Sequence, residues 1–569
     1  MNMYVKKTFT KTATPHSLLN QKIIDTLKVP VFLLLLVFVL YGNTISNKYS
    51  FDDDFVTYNN PQIQKGFKAI KEIFTTRYYV NARQNYDYRP MVKLGFAIEY
   101  ALFGSNPHIS HFINVILYFI LCLLLYLILK KLLRSYHPWL ALAATLLFLA
   151  HPVHTEVVAS LKNRDELLSM MGTAAAWYLT IKYTEAKKWR FILLAVFMLV
   201  FGYFSKAGAM VFVVVIPLSL YFFTAEKTKN ILKITGILLL VVFFCILIPR
   251  LLLPEIQRKI MFFENPLYYE KGLLIRLGAA LSVLLFYFRL LVFPHPLLFY
   301  YGYDQISVTN PFTVWNLFSL LLCIMLLGIA LFRFRRKHVL SFAILYYFIT
   351  ISIYSNLLNP PPGIVADRFL FSSSLSFCLA LAFILPKIFK INLNEKLTKK
   401  IKTYKKPGII LLIIFLLFSV KTISRNSQWK DFKSLYTNDI KYLHNSAKAH
   451  AVYASFLYNQ IPASRDYTRQ KELVRLSEKH YKQALEIYSD YAVCMNNLGI
   501  IAYKFYKKKE EAVNYWKTAA IADNEYSEPL FNLAKAYEEA GVTDTAELYY
   551  LSALKLDSSN VSGYSNLAA

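Results

Sequence analysis

The sequence predicts an all-α protein in two parts: a polytopic transmembrane helical bundle of about eleven spans, then an α-solenoid of helical hairpins. Three observations carry that prediction. Of 569 residues, 56% are hydrophobic and only 17% charged, whereas a soluble globular chain is nearer a quarter charged. Apolar windows long enough, or nearly long enough, to span a bilayer recur from Val29 to about Ser424. Beyond Ser424 the apolar runs stop and an amphipathic helical pattern repeats. This composition excludes a disordered chain and a single soluble domain. The net charge of +29 fits the positive-inside rule, which concentrates Lys and Arg in cytoplasmic loops. It therefore calls for no nucleic-acid partner.

The first 28 residues are basic and polar, with Lys6, Lys7, Lys11, Lys22 and Lys28, and read as a cytoplasmic segment. The apolar run from Val29 has no small-residue cleavage pattern after it, so it reads as an uncleaved first span. Residues 29–424 then form a multi-span membrane domain. Its candidate helices lie near 29–46, 111–129, 138–150, 166–183, 190–204, 208–224, 231–248, 273–293, 312–332, 338–358, 368–386 and 408–424. Cations cluster at Lys130, Lys131 and Arg134, from Lys182 to Arg190, and from Arg333 to Lys337. The run 387–406 holds eight lysines and one glutamate. All four clusters fit the side of the N-terminus. The long loop 47–110, the loops 151–165 and 355–367, and everything from 425 onward are then extracytoplasmic. A cytoplasmic N-terminus and an external tail require an odd number of crossings. Eleven is therefore expected, with one segment between 190 and 310 not crossing fully. The protein reads as a multi-pass protein of an inner or plasma membrane.

Cys122, Cys245, Cys323, Cys378 and Cys494 are scattered, four of them in or beside apolar runs, and no CxxC occurs. They read as small apolar fillers rather than a disulfide framework or a zinc site.

In the tail, Asn497-Leu498-Gly499 is followed by Ala512 and Ala519, and Leu533-Ala534 by Ala546, Tyr550 and Ala553. Leu567-Ala568 opens another copy, and the leucines are spaced 35 and 34 residues apart. This resembles the tetratricopeptide (TPR) repeat, whose small residues let paired helices pack closely. An earlier, irregular copy is expected over 445–490, with Ala484 in its second helix and an insertion near 461–468. Residues 425–569 are thus expected to form a TPR domain. The last copy stops inside a first helix, where such arrays normally end on a polar cap. A longer native product, or docking of that helix elsewhere, is expected. A peptide-binding concave face and a plain hairpin stack stand about equal for this tail.

Polar motifs interrupt the apolar pattern at five places. The long first loop opens on Phe51-Asp52-Asp53-Asp54. Adjacent carboxylates repel, which raises at least one pKa unless a cation or donors offset it. By itself such a run is usually a solvated turn. Beside a spanning helix it becomes a candidate general base or cation site. The same loop carries Tyr88-Arg89-Pro90, in which Arg89 is a possible phosphate contact, and a stretch 91–103 expected to lie on the bilayer surface. The second loop reads His151-Pro152-Val153-His154-Thr155-Glu156, then Lys162-Asn163-Arg164-Asp165-Glu166. Polar density this high between spans needs a reason. His151, His154 and Glu156 suit a metal or substrate orientation. Metal ranks below hydrogen bonding, because no third ligand converges. Arg164 is a candidate phosphate ligand, since a guanidinium forks onto phosphate oxygens. Finally, Lys206 interrupts an apolar stretch, and Asp367-Arg368 stands at the mouth of a later span. Both suit an anionic lipid headgroup; snorkelling and a helix-end ion pair are their bland alternatives.

Taken in order, FDDD…NNP (51–61), YRP (88–90), HPVHTE…NRDELL (151–168), SK (205–206) and ADRFLFSSS (366–374), followed by TPR repeats, resemble the transmembrane and tetratricopeptide repeat-containing (TMTC) proteins and their bacterial relatives. The resemblance runs from about residue 29 onward, and HPVHTE is its most specific motif. It implies a C-type glycosyltransferase-like membrane domain. Such enzymes move a sugar, typically mannose, from a polyprenyl-phosphate donor to Ser or Thr of extracytoplasmic proteins. It also implies that an acidic residue of the first external loop, here Asp52, Asp53 or Asp54, deprotonates the acceptor hydroxyl. Arg368 and Arg164, with Lys206 and Arg89, would hold the departing phosphate. His151, His154, Glu156 and Asp367 would bind or orient substrate. Two positions depart from the family pattern: Asp54 is an extra carboxylate, and Ala207 follows Lys206 where an acidic or small polar residue is expected. The Lys-, Tyr- and Asn-rich composition suggests an AT-rich bacterium, in which undecaprenyl phosphate would replace dolichol.

The expected function is therefore a membrane O-glycosyltransferase whose TPRs bind acceptor protein. The lipid-linked sugar is its substrate, no cofactor is expected, and a divalent cation has no support. The alternative is a non-catalytic polyprenyl-lipid carrier or transporter with a TPR assembly scaffold. That reading needs charged residues along a transit path at mid-span, whereas the polar residues cluster at helix ends.

Overall fold

The computed structural model describes residues 15–77, 88–253, 260–306, 311–393, 405–558 and 560–568. These residues are helices and the turns between them, with no strand. Each apolar window becomes a helix: Pro15–Tyr41, Pro107–Leu132, Trp139–Ala150, Arg164–Ala186, Trp189–Ser205, Phe212–Phe223, Thr228–Leu252, Leu273–Val292, Val314–Phe332, Val339–Ile351, Ser374–Ile388 and Lys405–Gln428. Among the described residues six helices are long and apolar enough to cross a membrane. A seventh counts if Trp139–Ala150 and Pro152–Ala159, bent by 54°, form one broken span. Four more apolar helices are shorter than a full crossing. Helix Arg164–Ala186 has the length, but it opens on Arg164, Asp165 and Glu166. The chain is a multi-pass membrane protein.

The connections sort to two ends of the bundle. At one end Lys131 pairs with Glu185, Lys187 with Glu226, and Tyr221 stacks on Phe334. There the His137 N–H also donates to the Leu393 carbonyl at 2.9 Å. The basic clusters near 130, 182–190 and 333–337 therefore share that end. Residues 1–14 and 394–404, which carry Lys6, Lys7, Lys11 and four of the eight lysines of the 387–406 run, lie outside the described residues. The polar motifs assemble at the opposite end.

Two helices approach unusually closely. Arg164–Ala186 meets Trp189–Ser205 where Gly172 faces Gly202, and a Cβ on Gly172 would lie 2.8 Å from Gly202 Cα and from the Met198 carbonyl oxygen. Backbone cannot yield there as a side-chain tip would. Gly172→Val is expected to cost about 1–3 kcal/mol through overpacking, read as a lower thermal midpoint of the detergent-purified protein. An unchanged midpoint would mean that the helices separate freely at this point.

The last apolar helix runs past Ser424 to Gln428, because Arg425 and Asn426 are held by the protein itself. Asn426 donates to the Leu40 carbonyl at 2.8 Å. Arg425 forks onto Asp439 at 2.5 and 2.8 Å. After Phe432–Asp439 come the hairpins Ala447–Asn459 with Tyr467–Ile487, Ala492–Lys504 with Lys509–Ala522, and Glu528–Glu538 with Thr543–Leu556, then Val561–Ala568. Gly499 explains the small-residue signal. A Cβ there would stand 2.5 Å from Trp516 Nε1, whose indole donates to the Asn496 carbonyl at 3.1 Å. The first hairpin is fastened to the membrane domain. Ser446 Oγ donates to the Tyr301 carbonyl, Lys448 pairs with Glu264 at 2.6 Å, and Phe263 stacks on Tyr491 with centroids 4.1 Å apart.

Candidate active site

The first span ends in a short 3-10 turn, Gly42–Ser46, and the chain then folds back under the base of the tail. Phe51 has φ +49°, a left-handed conformation that a bulky residue rarely adopts. Its ring rests on Phe299, centroids 5.3 Å apart. This turn separates the three aspartates. Asp53 points inward and is fully buried. Its Oδ2 accepts from Ser50 N and Oγ at 3.0 and 3.2 Å. Its Oδ1 accepts from Ser160 Oγ at 3.1 Å and Lys162 N at 2.8 Å. Burial nevertheless pushes its pKa up to about 7, against those four hydrogen bonds. Asp54 is half-buried, receives Asn59 at 3.3 Å, and is also raised by burial. Asp52 is part-exposed. Among the described residues its carboxylate accepts no hydrogen bond and makes no ion pair.

Asp53 thus ties the first loop to the second. Beyond that tie, Asn163 ends the loop and the helix starts at Arg164. Its first turn carries Asp165 and Glu166, where the helix dipole favours negative charge. Arg89 pairs with Asp165. Lys206 pairs with Glu166 at 2.7 Å and reaches Asp165 at 3.6 Å. Arg368 binds Glu156 twice, through its guanidinium and through its main-chain N–H at 2.8 Å. Lys162 lies in the field of Asp52, Asp165, Arg368 and Arg89. Burial draws its ammonium down to about 8, with Arg368 and Arg89 acting the same way and Asp52 and Asp165 against. A small cleft of about 20 Å³ opens beside the Lys206–Glu166 pair. Glu166, Tyr354 and Ser372 line its polar side; Met170, Val211 and Phe212 line its apolar side.

Asp52, Arg89, Glu156, Lys206 and Arg368 are therefore brought to one cluster, and Lys162, Asp165 and Glu166 join them. Four other expected residues lie apart from it. Arg164 is 1% exposed. It donates to Asn114 Oδ1 at 2.6 Å, to the Ser110 carbonyl at 2.8 Å and to Glu99, and stacks over Phe96 at 4.1 Å. Its donors are engaged inside the protein, away from any phosphate. The bend after Ala150 tucks both histidines into the interior. His151 contacts the Leu291 carbonyl at 3.0 Å and Val153 N. His154 bridges Tyr118 and Ser374, each at 2.8 Å. Asp367 is buried, accepting from Leu298 N at 3.0 Å and from Tyr301 OH at 2.7 Å. Burial, with Glu156 nearby, raises it to about 8. It positions the loop before Tyr301 and thereby holds its neighbour Arg368 in place. Among the described residues no three His, Cys, Asp or Glu side chains converge as a metal-ligand set.

The sequence reading missed Lys162, although it stands in the most polar stretch of the membrane domain. It also missed the Arg425–Asp439 fork, whose Asp439 accepts the Phe299 N–H as well, at 2.8 Å. Both residues are polar at a helix end, and that was the available signal.

Residues 87–252 match the family model described as dolichyl-phosphate-mannose-protein mannosyltransferase. The chain is 25% identical over 74% of its length to the protein O-mannosyl-transferase F38B6.6 of Caenorhabditis elegans. It is 26% identical over 81% of its length to the human protein O-mannosyl-transferase TMTC1, and 23% identical over 84% to human TMTC3. It covers 58%, 55% and 54% of those three proteins, respectively, so it spans a little over half their length. The segment matched by the family model contains Arg89, the second polar loop and Lys206, while Asp52 and Arg368 lie outside it. Over these matched lengths the chain is similar to proteins named protein O-mannosyl-transferase.

Proposed function

We propose that this protein transfers a sugar, mannose-like, from a polyprenyl-phosphate donor to Ser or Thr hydroxyls of extracytoplasmic proteins. The polar end of the bundle faces the extracytoplasmic side, and the TPR hairpins bind the acceptor. The observation that carries this reading is the sorting of the aspartates. Asp53 has both oxygens engaged by four donors, while among the described residues nothing engages the Asp52 carboxylate, whose charge is felt at Lys162. The names of the relatives support the reaction class.

In this mechanism Asp52 takes the proton of the acceptor hydroxyl. The oxygen attacks the anomeric carbon, and the bond from that carbon to the phosphate oxygen breaks. The electron pair leaves with the polyprenyl phosphate, and the single displacement inverts the anomeric centre. Negative charge grows on the leaving phosphate, where Arg368, held by Glu156, meets it. Lys206 and Arg89 complete the positive wall.

The test is mass spectrometry of extracytoplasmic glycoproteins from cells with and without the gene. Loss of one O-linked hexose from defined Ser or Thr residues is expected, restored by the intact gene. An unchanged glycoprotein profile would reject the enzyme in favour of a carrier with a scaffold.

A further inference from the structure

Resting on the transferase reading above, we infer that Asp439, on the first helix of the tail, is a positioning residue for the reaction: through the strap Leu298–Tyr301 it sets Asp52 and Arg368 relative to each other. The strap lies in the membrane domain, between the helices Leu273–Val292 and Val314–Phe332. Three parts of the chain that are far apart in sequence meet on it.

The first is the tail. The Phe299 N–H donates to Asp439 Oδ2 at 2.8 Å, and the Phe299 ring packs on Tyr436 with centroids 5.1 Å apart. Tyr436 and Asp439 both belong to the helix Phe432–Asp439. Arg425 grips both Asp439 oxygens from the end of the last apolar helix, and Ser446 Oγ donates to the Tyr301 carbonyl. The second is the segment that carries Arg368. The Leu298 N–H donates to Asp367 Oδ2 at 3.0 Å, and the Tyr301 hydroxyl donates to Asp367 Oδ1 at 2.7 Å. Beside the strap, the Gly302 N–H donates to the Gly363 carbonyl at 3.1 Å. The third is the turn that carries Asp52. The ring of Phe51, the residue before Asp52, rests on Phe299 with centroids 5.3 Å apart.

Adjacent N–H groups of the strap thus go to opposite parties, Leu298 to Asp367 and Phe299 to Asp439. Both carboxylates are buried, where water does not compete for the bond and its loss is felt in full. Phe51, Phe299, Phe369 and Tyr436 pack in one apolar cluster. Close packing means that the strap cannot shift without moving the rings on either side of it. The chemistry makes this junction matter. The base and the cation that meets the leaving phosphate must stand in a fixed relation about the anomeric carbon, and a misplacement of about 1 Å can cost about 10²-fold in rate. Asp52 belongs to the first loop and Arg368 to the last. Phe51 and Asp367, their immediate neighbours, are both seated on the strap, and Asp439 holds the strap from the tail.

The test is steady-state transfer by the full chain in detergent, with farnesyl-phosphate mannose as donor. The acceptor is a peptide from a Ser or Thr site found in the glycoprotein comparison, and rates are normalised to monodisperse protein. Asp439→Asn keeps the shape of the side chain and weakens its hold on Arg425 and the strap. It is expected to lower kcat by about tenfold to a hundredfold, with the KM of the acceptor peptide unchanged. Tyr436→Leu keeps an apolar side chain in the cluster and withdraws the ring from Phe299. It should lower kcat by about twofold to tenfold, again at unchanged acceptor KM, and it carries the test should Asp439→Asn not fold. A merely structural role would lower the thermal midpoint and the yield and leave kcat per folded molecule as it was. A tail that acts only by holding the acceptor would raise the acceptor KM and keep kcat. Either pattern would overturn the positioning role and leave the transferase reading standing. No transfer by the unsubstituted protein would overturn both.

Discussion

Asp52→Asn is expected to lower sugar transfer by about 10²–10⁴-fold, the range for loss of a positioned general base, with yield and thermal midpoint unchanged. The neighbouring Asp53→Asn is expected to behave in the opposite way. Asp53 accepts four hydrogen bonds inside the protein. An amide at that place presents N–H groups to some of those donors and leaves them unsatisfied, at about 1–3 kcal/mol. Asp53→Asn should therefore lower the midpoint and the amount of folded protein, while the folded fraction keeps much of its turnover. The contrast is measured by transfer to an acceptor peptide, normalised to monodisperse protein, alongside thermal unfolding of each variant. Full transfer by Asp52→Asn would sink the assignment of the base. So would a midpoint lowered as far as that of Asp53→Asn, because it would show that Asp52 also holds the fold.

That contrast also marks how far the sequence could be read. The apolar windows, their helices and the phase of the tail repeats were legible, because each rests on a local periodicity. The gathering of the polar motifs at one end was legible from alternation along the chain. The division of labour inside a motif was not. Asp52 and Asp53 are adjacent and chemically identical. They are told apart by the left-handed turn at Phe51 and by donors more than a hundred positions away, at Ser160 and Lys162. The same holds for arginines. Arg164 and Arg368 both stand in dense polar motifs, yet Glu99, Ser110 and Asn114 enclose the first, while Arg368 stays partly open beside Glu156. His151 and His154 read as loop residues, until the 54° bend after Ala150 turns them into the core. In each case a long-range contact made the decision, and a single sequence does not display such contacts.

Arg164→Met is the second large effect expected, and it falls on the fold. Removing one member of a buried ion pair leaves the other charge without compensation, at about 3–5 kcal/mol. Here the orphan would be Glu99, whose remaining bond is from Ser110 Oγ at 2.7 Å. Asn114 Oδ1 and the Ser110 carbonyl would lose their donors as well. Glu99→Gln should cost less than Arg164→Met, because the amide oxygen still accepts from the guanidinium. The double variant Arg164→Met with Glu99→Met should cost less than the two single losses added together. Both charges then leave water-poor surroundings, and a methionine fills the place over Phe96. Thermal or denaturant unfolding of the three variants in one detergent measures the coupling. A phosphate ligand would give another pattern: Arg164→Met would keep its midpoint and lose farnesyl monophosphate binding, with no coupling to Glu99. The two patterns share no outcome, because the first requires the guanidinium's donors to be engaged within the protein and the second requires them to be open to the donor lipid.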